Sequence, residues 1–161
     1  MDIRKTNIED LDAVMAIYES AQSFMVRSGN PNQWKKGHPS RAMIEEDILL
    51  SRHYVCVENG RIECVFMYTD EPDPTYAYIE DGEWPNTKTY GTMHRIASAG
   101  NVRRIADFCL EWCFDRCKNL RADTHRDNKV MQNVLLRNGF EYCGIIYIAD
   151  GTQRLAYQKT K

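Results

Sequence analysis

No run of this 161-residue chain is apolar for long enough to cross a membrane. Its opening, MDIRKTNIEDL, lacks the apolar centre of a secretory leader. Together these absences predict a cytoplasmic protein with reduced cysteines and no membrane partner. An excess of one charge is missing as well. The formal net charge is −2, which leaves no electrostatic footprint for nucleic acid. Linkers, internal repeats and low-complexity segments are absent, so residues 1–161 are expected to fold as one domain around a real core. The six cysteines, Cys56, Cys64, Cys109, Cys113, Cys117 and Cys143, include no CxxC turn and no histidine partner at ligand spacing. Three of them share one helix face at i, i+4, i+8, which suits small apolar side chains packing on a sheet. No metal is expected.

What is present reads as alternating elements. Asp2 to Lys5 is a short strand, and Thr6 with Glu9 suggests a capping box for a helix from about Ile8 to Met25. Leu11, Val14, Ile17, Tyr18, Ala21 and Met25 give that helix its apolar face. Arg27 to Pro39 is a loop rich in Gly, Asn and Pro. Ser40 can cap a second helix, Arg41 to Leu50. Two strands follow, His53 to Glu58 and Arg61 to Thr69, joined by the hairpin signal Asn59-Gly60. An acidic stretch from Asp70 to Glu83 then reads as a solvated loop, or as a mouth that attracts a cationic substrate.

The stretch Gly91 to Cys117 organises the rest. Thr92 to Ser98 is a buried strand, Ala99-Gly100-Asn101 a sharp turn, and the helical pattern starts at Val102. A strand feeding straight into a helix aims free backbone N–H groups at one spot, which favours phosphates. Arg103 and Arg104 add charge there. A strand from Leu120 to Thr124, a helix from Asn128 to Arg137 ended by Asn138-Gly139, and a closing hairpin complete the chain. This order predicts an α+β domain around one mixed sheet.

Three segments in this order resemble the GNAT superfamily of acyl-CoA-dependent N-acyltransferases: HRIAS, GNVRRIADFCLEW and DTHRDNKVMQNVLLRNGFEYCGIIY. The resemblance covers nearly the whole chain. It implies the GNAT fold, a central twisted mixed sheet, mostly antiparallel, flanked by about four helices. It also implies acetyl-CoA as cosubstrate and an amine as acceptor. The chain departs from the family motif R/Q-x-x-G-x-G/A, with Asn101 at the Arg or Gln position and Val102 and Arg104 where glycines are expected. The turn is also about two residues short. A family Tyr that protonates the departing thiolate is replaced by Leu135, which has no proton to give.

From this resemblance, the backbone of Gly100, Asn101, Val102, Arg103 and Arg104 is expected to take the pyrophosphate. Ile96, Ala97 and Ser98 would pair with the pantetheine arm, with the N–H of Ala97 or a neighbour as oxyanion donor. Asn128 resembles a family Asn that bonds the arm, and it also suits a helix cap. The amine needs a base, and His94 and His125 are the candidates, since imidazole titrates near neutral pH. Strand parity places His94 on the face of Ile96 and Ser98. Tyr147 is the candidate acid in place of the missing Tyr. Gln33 and Trp34 lie in the family's substrate-lid loop, and Glu80 in the acidic stretch. The expected acceptor is a small molecule or a lysine side chain, cationic in either case. A homodimer is an expected assembly. Two alternatives are a non-catalytic domain that binds coenzyme A or a metabolite as a sensor, and a transferase of longer acyl groups.

Overall fold

A computed structural model describes residues 1–161. Seven strands form one sheet: β1 (Asp2–Lys5), β2 (His53–Glu58), β3 (Arg61–Thr69), β4 (Gly91–Ser98), β5 (Asn119–Thr124), β6 (Glu141–Tyr147) and β7 (Gln153–Thr160). Four α-helices accompany them: α1 (Leu11–Arg27), α2 (Arg41–Leu49), α3 (Ile105–Cys117) and α4 (Lys129–Arg137). The sheet order is β1-β2-β3-β4-β5-β7-β6, and every pairing is antiparallel except β4 with β5. The expected mixed α+β architecture is therefore present. No helix is long and apolar enough to cross a membrane.

Side chains alternate across β2 and β3 as strand geometry requires. Cys56 and Cys64 point into the core beneath α3, beside Cys109 and Cys113. Val55 and Val65 point the other way, into a second core with Leu11, Val14 and Ile17 of α1 and Ile44 of α2. The cysteines thus pack as small apolar residues, and all six are free thiols. The predicted hairpin forms at Asn59-Gly60, both residues taking positive φ. Ser40 caps α2 by accepting from the Met43 N–H at 3.1 Å.

Two local expectations need correction. The first helix opens with a 3₁₀ turn, Ile8–Asp10, and its capping pair is Asn7 with Asp10, whose carboxylate accepts from the Asn7 N–H at 2.8 Å. Thr6 is instead buried and bonded to His53. The turn before α3 is not short. It runs from Ala99 to Arg104, and α3 begins only at Ile105, because Arg104 takes a left-handed conformation (φ 59°). Residue 104 thus adopts at a family glycine position the kind of backbone that glycine tolerates best.

The β4–β5 contact positions everything that follows. The two strands pair only at Gly91↔Leu120 and Thr92↔Arg121, and then part. Opposite, β3 meets β4 through a bulge: Met67 pairs with His94 and Val65 with Ala97, so Phe66 alone faces both Arg95 and Ile96. Arg95 has φ +54°. It is held there by Asp47 of α2, which also binds Arg52 at 2.8 Å.

A buried polar chain backs this bulge. His53 bonds Thr6 Oγ1 at 2.7 Å and Tyr18 Oη at 2.8 Å, and the Tyr18 hydroxyl also reaches the Arg95 carbonyl at 3.0 Å. Burial lowers the His53 pKa from 6.5 to about 4. The neutral ring is therefore the folded form, and the unfolded chain binds the proton more tightly. Its stabilising contribution should be complete above about pH 6.5 and be lost as the pH falls through about 4, by about 3 kcal/mol in all. Urea unfolding at a series of pH values measures this, and His53→Gln should flatten the acid limb.

Candidate functional site

Where β4 and β5 part, the sheet opens into a cleft of about 830 Å³. Its walls come from the α1–α2 loop, the bulge of β4, the segment Glu71 to Thr75, the end of β5, the start of α4 and the β6–β7 turn. From Met93 onward, β4 has no partner on its β5 side, so that edge is free to pair with an extended chain.

Beyond this edge lies the α3 turn. None of the N–H groups from Asn101 to Ala106 donates to an acceptor within the protein. Arg104 is tied to Asp107 at 2.9 Å, and Asp107 also takes Arg137 at 2.7 Å and Asn138 at 3.0 Å. Arg103 is exposed and makes no ion pair, which leaves it as the mobile cation of the turn. Gly100 has φ +86°, donates its N–H to Ser98 Oγ at 3.0 Å, and has open space where a side chain would stand. A loop of unpaired N–H groups ending in a helix start, beside one free guanidinium, suits the pyrophosphate of an acyl-CoA. The pantetheine arm suits the free β4 edge.

The reactive part of the cleft is built around His94. Its Nε2 lies 2.8 Å from Asp73, and its Nδ1 lies 3.7 Å from Asp123. Asp123 accepts the Tyr76 hydroxyl at 2.6 Å. Asp73 ends the loop before a 3₁₀ turn, Pro74–Tyr76, and also takes the Thr75 N–H and hydroxyl. Burial raises the Asp73 pKa, but the hydrogen bonds from His94 and Thr75 outweigh it and bring it down to about 2. His94 does not share a face with Ile96, as unbroken parity predicts. The bulge resets the alternation, so Ile96 joins Met93 beneath α3, and His94 falls on the other face with Ala97.

The other residues singled out from sequence scatter. Ile96 and Asn128 line the cleft, while Ala97 is buried against α1 and Ser98 braces the α3 turn. Asn128 caps α4 through Met131 N–H at 2.9 Å and donates to Gln33 Oε1 at 2.8 Å, so both ends of its amide are engaged. Gln33 and Trp34 line the cleft, with Trp34 edge-on to Tyr18 and His38. His125 does not line it. Its Nδ1 accepts from the Asp127 N–H at 3.0 Å, and burial and the charge of Arg154 lower its pKa. Tyr147 and Glu80 also lie outside the cleft, bonded to each other, and Glu80 further holds Tyr78 at 2.9 Å. The Tyr147 pKa is raised, chiefly by that carboxylate. Within the acidic stretch only Glu71 and Asp73 face the cleft. Leu135 is wholly buried in the α3–α4 core. No cluster of three His, Cys, Asp or Glu is arranged to hold a metal.

Among the polar residues of the cleft, Asp123 and Arg154 were not anticipated, and Asp73 only as one member of the acidic stretch. Each had a signal. Asp73-Pro74-Thr75 is a turn-starting sequence. Asp123 and Arg154 are charged residues at inward positions of apolar strands.

No protein-family model matches the chain, and no curated protein sequence does. Solved structures do. A GNAT-family acetyltransferase from Streptococcus agalactiae is 32% identical, with TM-score 0.91, over 99% of this chain and 95% of that one. An acetyltransferase structure from Staphylococcus aureus shares the fold at 22% identity and TM-score 0.72, over 99% of both chains. A GNAT-like decarboxylase, GphF, in complex with isobutyryl-CoA shares it at 14% identity and TM-score 0.69, again over 99% of both chains.

The Asp47 clamp is testable through stability. Removing a buried partner of an ion pair is typically severe, so Asp47→Ala should lower the unfolding free energy by about 3 kcal/mol. Denaturant titration of that variant beside Asp47→Asn measures it, with the amide expected to retain part of the loss.

Proposed function

Since the chain belongs to the GNAT family of acetyltransferases, we propose that it moves an acetyl group from acetyl-CoA to a primary amine by direct attack. Acetyl-CoA, when bound, supplies an activated thioester at the open β4 edge. Backbone N–H groups of Asn101 to Arg104, with the Arg103 side chain, hold the phosphates, while the Gly100 N–H, expected to join them, is taken by Ser98 Oγ. Ile96 and Asn128 border the arm. The single observation that carries this reading is the His94–Asp73–Asp123 cluster set beside that free edge.

Asp73 orients the ring of His94 by accepting from Nε2–H, which leaves Nδ1 as the proton acceptor. Glu71, Asp73 and Asp123 give this end of the cleft negative charge and draw in the acceptor as an ammonium ion. One proton then passes to His94 Nδ1, the free amine attacks the thioester carbonyl, the C–S bond breaks, and the second proton leaves the nitrogen to the departing thiolate or to water. The departing thiolate has a pKa near that of a free thiol and needs little help, which fits a leucine at position 135. The six free thiols are consistent with work in the cytoplasm.

The buried Leu135 and the tethered Arg104 also favour a second reading, in which the domain binds coenzyme A or a metabolite without turnover. Calorimetry with acetyl-CoA and a thiol-release assay over a panel of amines separate the two. Binding with thiol release is the expected result. Binding without release on any amine would support the sensor. His94→Ala should lower turnover at neutral pH at least roughly tenfold and leave acetyl-CoA affinity nearly intact. His125→Ala should do less. Equal losses in both variants would count against His94 as the base.

A further inference from the structure

The cleft has a second pole that amine binding does not use. Two arginines are buried in the chain, Arg121 and Arg154. Arg121 is compensated: its guanidinium lies 4.1 Å from the centre of the Trp84 ring and 4.0 Å from that of Tyr90, and it bonds Gln158 and the Asn86 carbonyl. Arg154 is not. It is 6% exposed and lines the cleft, yet it makes no ion pair. Its bonds all go to neutral oxygens: Thr152 Oγ1 at 3.2 Å, the Gln153 carbonyl at 2.8 Å and the Gln33 carbonyl at 3.2 Å. A guanidinium has five N–H donors, so Nε–H and one Nη2–H are left without a protein acceptor. Arginine stays charged in a protein, and a buried charge with no carboxylate in contact is costly; Asp123 and Asp150 act on this one only from a distance.

We propose that the acceptor carries a carboxylate as well as its amine, a zwitterion of the amino-acid type, with the carboxylate seated on Arg154. The inference rests on the acetyl-transfer reading above. Register supplies the spacing. Asp123 pairs with Ala156 across β5 and β7, and Arg154 lies two residues from Ala156 on the same face. The backbones of Asp123 and Arg154 are therefore roughly 8 Å apart, one strand over and one pleat along. The arginine side chain from one end and the aspartate carboxylate from the other narrow that gap to the size of a small zwitterion. The wall near Arg154 also holds Lys35, His38 and Arg95, together with one carboxylate, Asp150. Burial lowers the His38 pKa, and the charges of Arg95 and Arg154 lower it further. At the opposite end stand His94, Asp73 and Asp123. A carboxylate fits better than a doubly charged phosphate, because Asp123 and Asp150 both act electrostatically on Arg154. An acceptor with two poles thus replaces the simple cation suggested by the acidic stretch.

The test compares matched amines on the intact protein. Each common α-amino acid is assayed beside its amide and its decarboxylated amine, by thiol release from acetyl-CoA. At least one amino acid should exceed both of its matched partners by about tenfold or more in kcat/KM, since a site built for a polar group discriminates against its absence. Arg154→Leu should remove that preference, bringing the amino acid and its decarboxylated amine to comparable kcat/KM, and Arg154→Lys should restore part of it. Decarboxylated amines preferred by the wild type would overturn the proposal and leave acetyl transfer standing. That comparison needs no variant, so it holds even if Arg154→Leu fails to fold. If no amine is acetylated, calorimetry with the same amino acids decides. Binding that needs the carboxylate and Arg154 would keep the zwitterion site and remove the transferase reading. Binding of none would remove both.

Discussion

Asp47 sits on α2 at 1% exposure, and its two oxygens take the guanidiniums of Arg95 and Arg52. An isolated buried carboxylate would be prohibitively unfavourable, so this one is tolerable only with both partners in place. Its structural effect is to fix Arg95 in a left-handed backbone that a non-glycine residue rarely adopts. That one residue makes the bulge, and the bulge carries Ile96 away from the face on which His94 meets Asp73 and Asp123. The Tyr18 hydroxyl, held by neutral His53, secures the same peptide from its carbonyl side. Without the bulge β4 would keep its alternation, and Ile96 would share the face of His94.

The cleft divides its labour between backbone and side chains. In the proposed reaction, backbone donors and a bare strand edge would serve acetyl-CoA, and they place few demands on residue identity. This explains how glycine positions of the family motif can be lost while the loop persists. In the same proposal, recognition of the acceptor would fall to charged side chains from separate segments of the chain. The GNAT-like decarboxylase shows the same scaffold under a different chemical name, so the scaffold by itself does not fix the reaction.

Local chemistry was legible and long-range chemistry was not. Asn59-Gly60, Ser40 and the helical spacing of Leu11, Val14 and Ile17 each act within a few residues, and each element formed as their sequence predicts. The order of elements was enough for the family. The bulge at Arg95 depends on a carboxylate 48 residues away, and no window of sequence displays that. Likewise Asp73, Asp123 and Arg154 are charged residues whose meaning comes from strands paired late in the chain. Tyr147 and Glu80 look functional in isolation, but they satisfy each other outside the cleft.

Gln33 offers a different kind of lesson. Its side-chain oxygen accepts from Asn30, Thr124 and Asn128, and its backbone carbonyl accepts from Arg154. Three of these bonds span 91, 95 and 121 residues of chain. Contacts so distant form only after the intervening chain has been organised, because closing the loop costs entropy before any bond rewards it. As the ribosome releases the chain, α1 and the first hairpin can associate early, but the lid has nothing to rest on until β7 enters the sheet. This wall of the cleft is therefore the last part of the molecule to mature, and a nascent chain can hold most of its core well before the cleft is complete.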